Sequence, residues 1–71
     1  MKWNLIRCGI EYQPENGKLP HVVVISVDDG PRCWFAYATR AEANRKAPYW
    51  AMVALKAYGG KIVMVEPKGY E

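Results

Sequence analysis

One long helical segment, residues 39–60, is the feature that most constrains how this chain of 71 residues can fold. It begins with Thr39 and Glu42 at the spacing of a capping box, in which the hydroxyl accepts an amide hydrogen bond and the carboxylate reaches back to the N-cap amide. Alanines and other good helix formers fill the interior. Gly59 and Gly60 follow, where the left-handed conformation ends many helices. No other stretch carries a convincing helical pattern.

The helix has two unlike faces when its residues are placed at 100° intervals. One stripe should pack on the core and combines small side chains with two rings: Ala43, Ala47, Trp50, Ala51, Ala54 and Tyr58. The opposite stripe follows the i, i+4, i+7, i+11 spacing: Arg45, Tyr49, Met52 and Lys56. Pro48 cannot donate to the carbonyl of Asn44, and its ring crowds that turn. We therefore expect a kink at Pro48, or a division into two helices, residues 40–46 and 48–58.

Four strand-like segments surround the helix: residues 2–12, 21–27, 32–38 and 61–66. The first alternates between apolar and polar side chains, which is typical of a strand with one buried face. The second is a β-branched run and gives the strongest strand signal of the chain. Residues 13–18 and 28–31 have the Pro, Asn, Asp and Gly composition of turns.

These elements predict an α+β fold in the order β-β-β-α-β. We expect a three- to four-stranded, mainly antiparallel sheet with the single helix packed on one face. Because crossover connections are right-handed, the last strand should lie parallel to the first or the third, and we predict the spatial order 3-2-1-4. Residues 1–66 form one domain in this prediction, and residues 67–71 form a flexible C-terminal tail.

The register of the third strand stays open at this point. A two-residue loop would pair Ile25 with Trp34, whereas a three-residue loop with a glycine bulge would pair Ile25 with Cys33. A slip of one residue turns every side chain to the other face of the sheet. We favour the arrangement with Phe35 and Tyr37 inward, because they are bulkier than the alanines beside Trp34.

Length and charge set the class of partner. A chain this short buries only about 60% of its unfolded surface, so self-association as a homodimer would cover apolar surface that one helix cannot. The net charge of +3 permits contact with nucleic acid or an acidic protein and demands neither.

The start of the chain predicts its location. Arg7 interrupts the apolar start, so we predict no secretory signal and a cytoplasmic location. Without a secretory signal, we expect both cysteines to be buried and reduced. No stretch approaches the ~18 apolar residues of a membrane span.

The residue types needed for catalysis or metal binding are sparse. His21 is the only histidine, and Cys8 and Cys33 do not form a CxxC pair. Neither cysteine has a neighbouring base in sequence that would lower its pKa. Asp28 and Asp29 are adjacent carboxylates, but they lie in a hairpin turn that favours Asp for backbone reasons. We expect no enzyme activity, no metal and no cofactor.

Two surfaces are candidates for binding. The outer stripe of the helix, with Arg45, Tyr49, Met52 and Lys56, exposes residue types that are enriched at protein interfaces, and the alternative is an ordinary solvated helix face. The sheet face away from the helix would carry Arg7, Arg32 and Trp34, a set suited to base stacking and phosphate contact. Under the other register of the third strand, Trp34 would instead belong to the core.

Residues 34–47, WFAYATRAEANRKA, join an aromatic strand directly to a Thr-capped, Ala-rich helix, and a short strand follows. In architecture and size the chain resembles compact proteins encoded by phages and other mobile elements, among them anti-CRISPR inhibitors. That resemblance implies a non-catalytic inhibitor that docks on a host protein or nucleoprotein complex. Many such proteins are acidic mimics of nucleic acid, whereas this chain is basic.

A second similarity is to the three-strand-plus-helix DNA-binding domains at integrase N-termini. Those domains read DNA with basic and aromatic residues of the exposed sheet face. Here Arg7, Arg32 and Trp34 are the matching residue types, and the fourth strand is extra. This similarity implies the alternative function, a small DNA- or RNA-binding domain.

Overall fold

Four strands and one helix follow one another in the predicted β-β-β-α-β order in a computed structural model, which describes residues 4–28, 30 and 32–70. The elements are β1 (Leu5–Tyr12), β2 (His21–Val27), β3 (Arg32–Tyr37), α1 (Arg40–Tyr58) and β4 (Lys61–Met64). A short 3₁₀ helix, Pro14–Asn16, lies in the first turn. The predicted strand start at Lys2, the turn residues Asp29 and Pro31, and the last residue, Glu71, lie outside the described residues.

The strands form one mixed sheet in the order β3-β2-β1-β4. β1 pairs with β2 and β2 with β3 in antiparallel fashion, whereas β4 pairs with β1 in parallel. α1 carries the chain from β3 at one edge to β4 at the other, and packs mainly on β1 and β2. The α+β class and the predicted order 3-2-1-4 are confirmed.

The register of β3 is the one that pairs Ile25 with Cys33. Phe35 and Tyr37 therefore pack toward the core, and Trp34 points to the opposite face, where 62% of it is exposed. At the start of the turn, Asp28 has a positive φ of 52°, and its carboxylate accepts the Leu5 N–H at 2.8 Å. That side-chain bond ties the start of the turn to β1.

The ends of α1 follow from capping chemistry. The Thr39 hydroxyl accepts the Glu42 N–H at 3.1 Å, as predicted. The Glu42 carboxylate differs from the predicted capping box, since it lies 3.4 Å from the Thr39 hydroxyl, which donates to it. At the other end, Gly59 has a φ of 71° and donates its N–H to Leu55 at 2.7 Å. Gly60 must remain glycine because a Cβ there would collide with the Asn4 backbone.

Pro48 does not divide the helix, and the predicted split into residues 40–46 and 48–58 is wrong. Alanines on both sides of Pro48 are buried against the same sheet, which holds the two halves of the helix to one surface. Asn44, whose carbonyl loses its usual donor, is exposed, and water can satisfy it.

The core lies between the alanine face of α1, defined as Ala43, Ala47, Ala51 and Ala54, and the inward residues of β1 and β2. Its buried strand residues are Ile6, Cys8, Ile10, Val23 and Ile25. The small alanine side chains let α1 approach so closely that the Cys8 thiol donates to the Ala47 carbonyl, with sulfur and oxygen 3.4 Å apart.

Tyr58 does not fill the end of this core, contrary to the sequence prediction. It is 60% exposed, because the space between the last turns of α1 and β3 is an open groove. Trp50, the other ring expected there, is half-buried and packs against the core as predicted.

The segment after β4, which was predicted to be a flexible tail, makes contacts with β1 and β2. Lys68 continues the parallel pairing with β1, since its N–H donates to Ile10 at 3.0 Å and its carbonyl accepts the Tyr12 N–H at 2.8 Å. Tyr70 stacks beside His21 and hydrogen-bonds to it, with 2.9 Å between the hydroxyl and Nδ1. An aromatic side chain and a short backbone ladder hold these residues against β1 and β2.

Replacing Ala51 with leucine should destabilise the protein by about 1–3 kcal/mol, because the added side chain must overpack a closely approached helix–sheet contact. Urea denaturation measures the free energy of unfolding. Ala41→Leu is the matched control at an exposed position of the same helix, and it should change that free energy by less than about 0.5 kcal/mol. Equal effects of the two substitutions would contradict the close packing of α1.

Candidate functional site

The outer face of α1, defined as Arg45, Tyr49, Met52 and Lys56, is exposed at all four positions. Tyr49 is 57% exposed and Met52 48% exposed. α1 turns its alanines to the sheet, so the structure places the predicted outer residues together on the side opposite the core. Two cations thus flank an exposed aromatic ring and a thioether.

Tyr49 is positioned by its neighbours. Its ring contacts Trp50 edge-on, with centroids 5.0 Å apart and planes at 77°, and the Lys46 ammonium lies 5.6 Å from its centroid. Trp50 is itself fixed, because it stacks on Phe35 at 3.8 Å and donates its indole N–H to the Tyr37 hydroxyl at 2.7 Å. The exposed ring of Tyr49 therefore rests on a side chain that is locked to the core.

An apolar groove, which we call the edge groove, runs beside the outer face between α1 and β3. Its volume is about 460 Å³. Mainly apolar and aromatic side chains line it: Ile25, Val27, Cys33, Phe35, Trp50, Val53, Ala54, Ala57 and Tyr58. It exists because α1 packs mainly on β1 and β2 and leaves β3 only partly covered. Sequence reasoning missed this groove, because it depends on where α1 lies across the sheet.

The open sheet face, defined as the face turned away from α1, carries the second predicted set. Arg7 and Arg32 line a cleft of about 260 Å³, and Val24, the strand partner of Trp34, lines it as well. Trp34 therefore lies on the same sheet face, beside the cleft. Lys68 adds a third cation.

Two carboxylates reduce the positive charge of this cleft. Glu11 and Glu66 line it together with the three cations. The cleft floor includes Gly9, over which Val65 lies so closely that a Cβ at Gly9 would collide with it.

Positive charge is more concentrated on α1 than on the sheet. The helix contains Arg40, Arg45, Lys46 and Lys56 against a single acidic residue, Glu42. Its surface would therefore favour an acidic partner over a basic one.

The structure does not bring a cysteine and the histidine together. Cys8 pairs with Ile25, whereas His21 pairs with Tyr12, four residues further along the same ladder, or roughly 13 Å at about 3.3 Å per residue. Cys33 is likewise four residues along β3 from Tyr37, the strand partner of His21. Neither Cys–His pair is within reach of a proton transfer.

The two thiols have different surroundings, and only Cys8 matches the expectation of a buried cysteine. Cys8 is fully buried, and burial raises the pKa of its thiol. Cys33 is an exposed free cysteine on the edge groove. Its exposure follows from the partial cover of β3 by α1.

Tyr70 anchors an aromatic cluster at the other end of the sheet. Tyr12 lies 5.7 Å from its ring centroid, and the Arg40 guanidinium lies 4.1 Å over the ring. Burial raises the pKa of the Tyr70 hydroxyl, an effect that the positive charge of Arg40 opposes. The cluster ties the C-terminal segment to the start of α1.

Comparison with known proteins finds no family model, curated protein or solved structure that matches this chain. Within residues 4–28, 30 and 32–70, no three or more His, Cys, Asp or Glu side chains are grouped to hold a metal ion. Over the same residues, no helix is both long enough and apolar enough to cross a membrane.

Thiol labelling should separate the two cysteines. At low micromolar protein and neutral pH, Cys33 should react with a disulfide reagent at once, whereas Cys8 should react only after unfolding, because it is buried and its raised pKa keeps it protonated. The measurement is the number of thiols released before and after adding urea. A Cys33→Ser variant is the control and should show no fast thiol; two fast thiols in the wild type would contradict the burial of Cys8.

Proposed function

We propose that this chain is a non-catalytic binding protein that docks on a protein or nucleoprotein partner through the outer face of α1. One observation carries the proposal: Tyr49 and Met52 are both about half exposed, between Arg45 and Lys56, on the side of the helix opposite the buried alanines. Tyrosine, methionine and arginine are enriched at interface cores, so this combination is more typical of a docking surface than of a solvated helix face.

The fixed position of Tyr49 adds support. A side chain that is already held loses less conformational freedom on binding, and interfaces gain affinity from such preorganised residues. Tyr49 rests on Trp50, which is locked by Phe35 and Tyr37. Tyr49 is therefore the residue expected to contribute most to binding.

The charge of α1 indicates the chemistry of the partner. A helix with four cations and one carboxylate attracts an acidic surface. The exposed ring and thioether require an apolar patch within that surface. The partner we propose is an acidic protein surface with an apolar centre, on a host protein or nucleoprotein complex.

The resemblance to proteins of phages and other mobile elements suggests the role of an inhibitor. Such a role needs only that a functional surface of the host complex be covered.

The helix-face proposal predicts that Tyr49→Ala/Lys56→Glu weakens partner binding by at least about tenfold. Truncating the aromatic anchor and reversing a charge at the rim should cost about 1.4 kcal/mol or more of binding free energy. Tagged wild type and variant are used to capture partners from extracts of the native host, with quantitative mass spectrometry as the readout. Circular dichroism and thermal melting confirm that each variant is folded.

The matched control changes a cation and an exposed apolar residue elsewhere on the chain. Lys18→Glu/Leu19→Ala alters two exposed residues of the turn between β1 and β2. This control should retain the partner at wild-type level. Equal capture by the helix-face variant and the wild type would refute the proposal.

The open sheet face supports a second candidate function, binding of single-stranded DNA or RNA. The observation that favours it is the 62% exposure of Trp34 beside a cleft that Arg7 and Arg32 line. An exposed indole can stack on a base of any sequence, and neighbouring arginines can contact phosphate.

The nucleic-acid alternative predicts two separable effects on affinity. Trp34→Ala should weaken binding of a labelled single-stranded oligonucleotide without changing its salt dependence, because stacking releases no counterions. Arg32→Gln should reduce the slope of log K against log salt by about 0.7, the value for one lost phosphate contact on a single strand. Fluorescence anisotropy over a salt series measures both, with Lys18→Gln as the control. No binding at low salt would eliminate this alternative.

A further inference from the structure

The outer edge of β3 is regular and unpaired within the described residues, since β3 pairs only with β2. The hydrogen-bond pattern shows which of its backbone groups face outward. Asp28 donates its N–H to the Leu5 carbonyl at 2.7 Å, which makes this a hydrogen-bonded pair of the β1–β2 ladder. Bonded and non-bonded pairs alternate along an antiparallel ladder, so Ile25 directs its N–H and C=O to β3.

Ile25 is the partner of Cys33, and the same alternation runs along β3. Cys33 and Phe35 therefore bond to β2, whereas Arg32, Trp34 and Ala36 direct their N–H and C=O groups outward. The pairing of β1 with β4 follows the same alternation. Even-numbered residues in and just before β1, such as Asn4 and Ile10, hydrogen-bond to β4 and the segment after it.

This edge lacks the features with which proteins protect free strands. The β2–β3 register runs without a bulge from Ser26 and Arg32 to His21 and Tyr37. β3 contains no proline or lysine, and Arg32 at its first position is its only charged residue. Edge strands are normally blunted by such residues or by bulges, because an open ladder pairs with other strands. β4, the opposite edge strand, is only four residues long and begins with Lys61.

We propose that β3 is a homodimer interface, at which it pairs antiparallel with β3 of a second copy. The two-fold axis stands perpendicular to the sheet, and Trp34 lies opposite Trp34 of the second copy. Because the outward groups belong to Arg32, Trp34 and Ala36, this register satisfies every one of them. The two sheets become one continuous sheet with both helices on the same side.

Charge and side-chain size favour a second copy in this register. Arg32 lies opposite Ala36 of the second copy, so two chains of net charge +3 place no like charges opposite each other along the strand pair. The two Trp34 rings, each 62% exposed in the single chain, cover one another on the open sheet face. An aromatic pair directly opposite in a ladder is a stabilising arrangement.

The other face of the strand pair joins the two edge grooves. Phe35 lies opposite Cys33 of the second copy, and both residues line the edge groove of their own chain. The apolar surface of one groove thus continues into the other across the two-fold axis. The outer face of α1 stays free, so this dimer goes beyond the proposed function and presents two copies of that face.

Amide hydrogen exchange of the wild-type protein tests the pairing directly. We expect protection of the Trp34 and Ala36 amides to rise at least tenfold as the protein is concentrated from about 1 µM to about 1 mM, a range that covers weak dimers. The Cys33 and Phe35 amides, which bond to β2, should be protected already at the lowest concentration. A dimer in which the Trp34 amide stays unprotected would overturn the proposal.

Sedimentation equilibrium provides a second test with an edge variant. The wild type should reach twice the chain mass of 8.1 kDa with increasing concentration, and Trp34→Lys should weaken dimerisation at least tenfold by placing two like charges opposite each other. Met52→Lys, the control on the outer face of α1, should dimerise like the wild type. A wild type that is monomeric throughout, or a Trp34→Lys variant that dimerises equally, would refute the interface.

Discussion

The close approach of the alanine face of α1 to β1 and β2 is the contact on which the rest of the structure depends. Small side chains allow an approach at which the Cys8 thiol reaches the Ala47 carbonyl. Alanines before and after Pro48 are held by the same sheet, so the helix remains one element despite the lost hydrogen bond. The same packing directs the opposite face of the helix, with Tyr49 and Met52, to solvent.

The position of α1 over the two central strands also determines where apolar surface remains. β3 is covered only in part, and the edge groove follows from this offset. Trp50 bridges the two regions, since it stacks on Phe35 at the margin of the core and supports Tyr49 at the surface. Because the helix packs on the sheet through alanines, its larger side chains lie at the edge of the core and on the surface. These are the regions where binding and self-association are proposed.

Local patterns in the sequence predicted Thr39 as the N-cap of α1, the glycine at its C-terminal end, the strand order and the inward direction of Phe35. Each depends on spacing or on side-chain size within one or two elements. The exposure of Tyr58 and Cys33 was not predicted, because it depends on where the helix lies across the sheet. The anchoring of Tyr70 was also missed, since its partner His21 is distant in sequence. The outer face was predicted from helical period alone, whereas the edge groove required the complete packing.

A lysine scan along α1, scored for both folding and partner capture, tests most directly whether the helix has one structural and one binding face. Lysine at Ala43, Ala47, Ala51 or Ala54 should abolish folding, because it would bury an unpaired charge. Lysine at Tyr49 or Met52 should leave folding intact and weaken capture of the partner. The account would be contradicted if lysine at the outer positions destabilised the protein as much as lysine at the alanine positions. It would also be contradicted if lysine at the outer positions left capture of the partner unchanged.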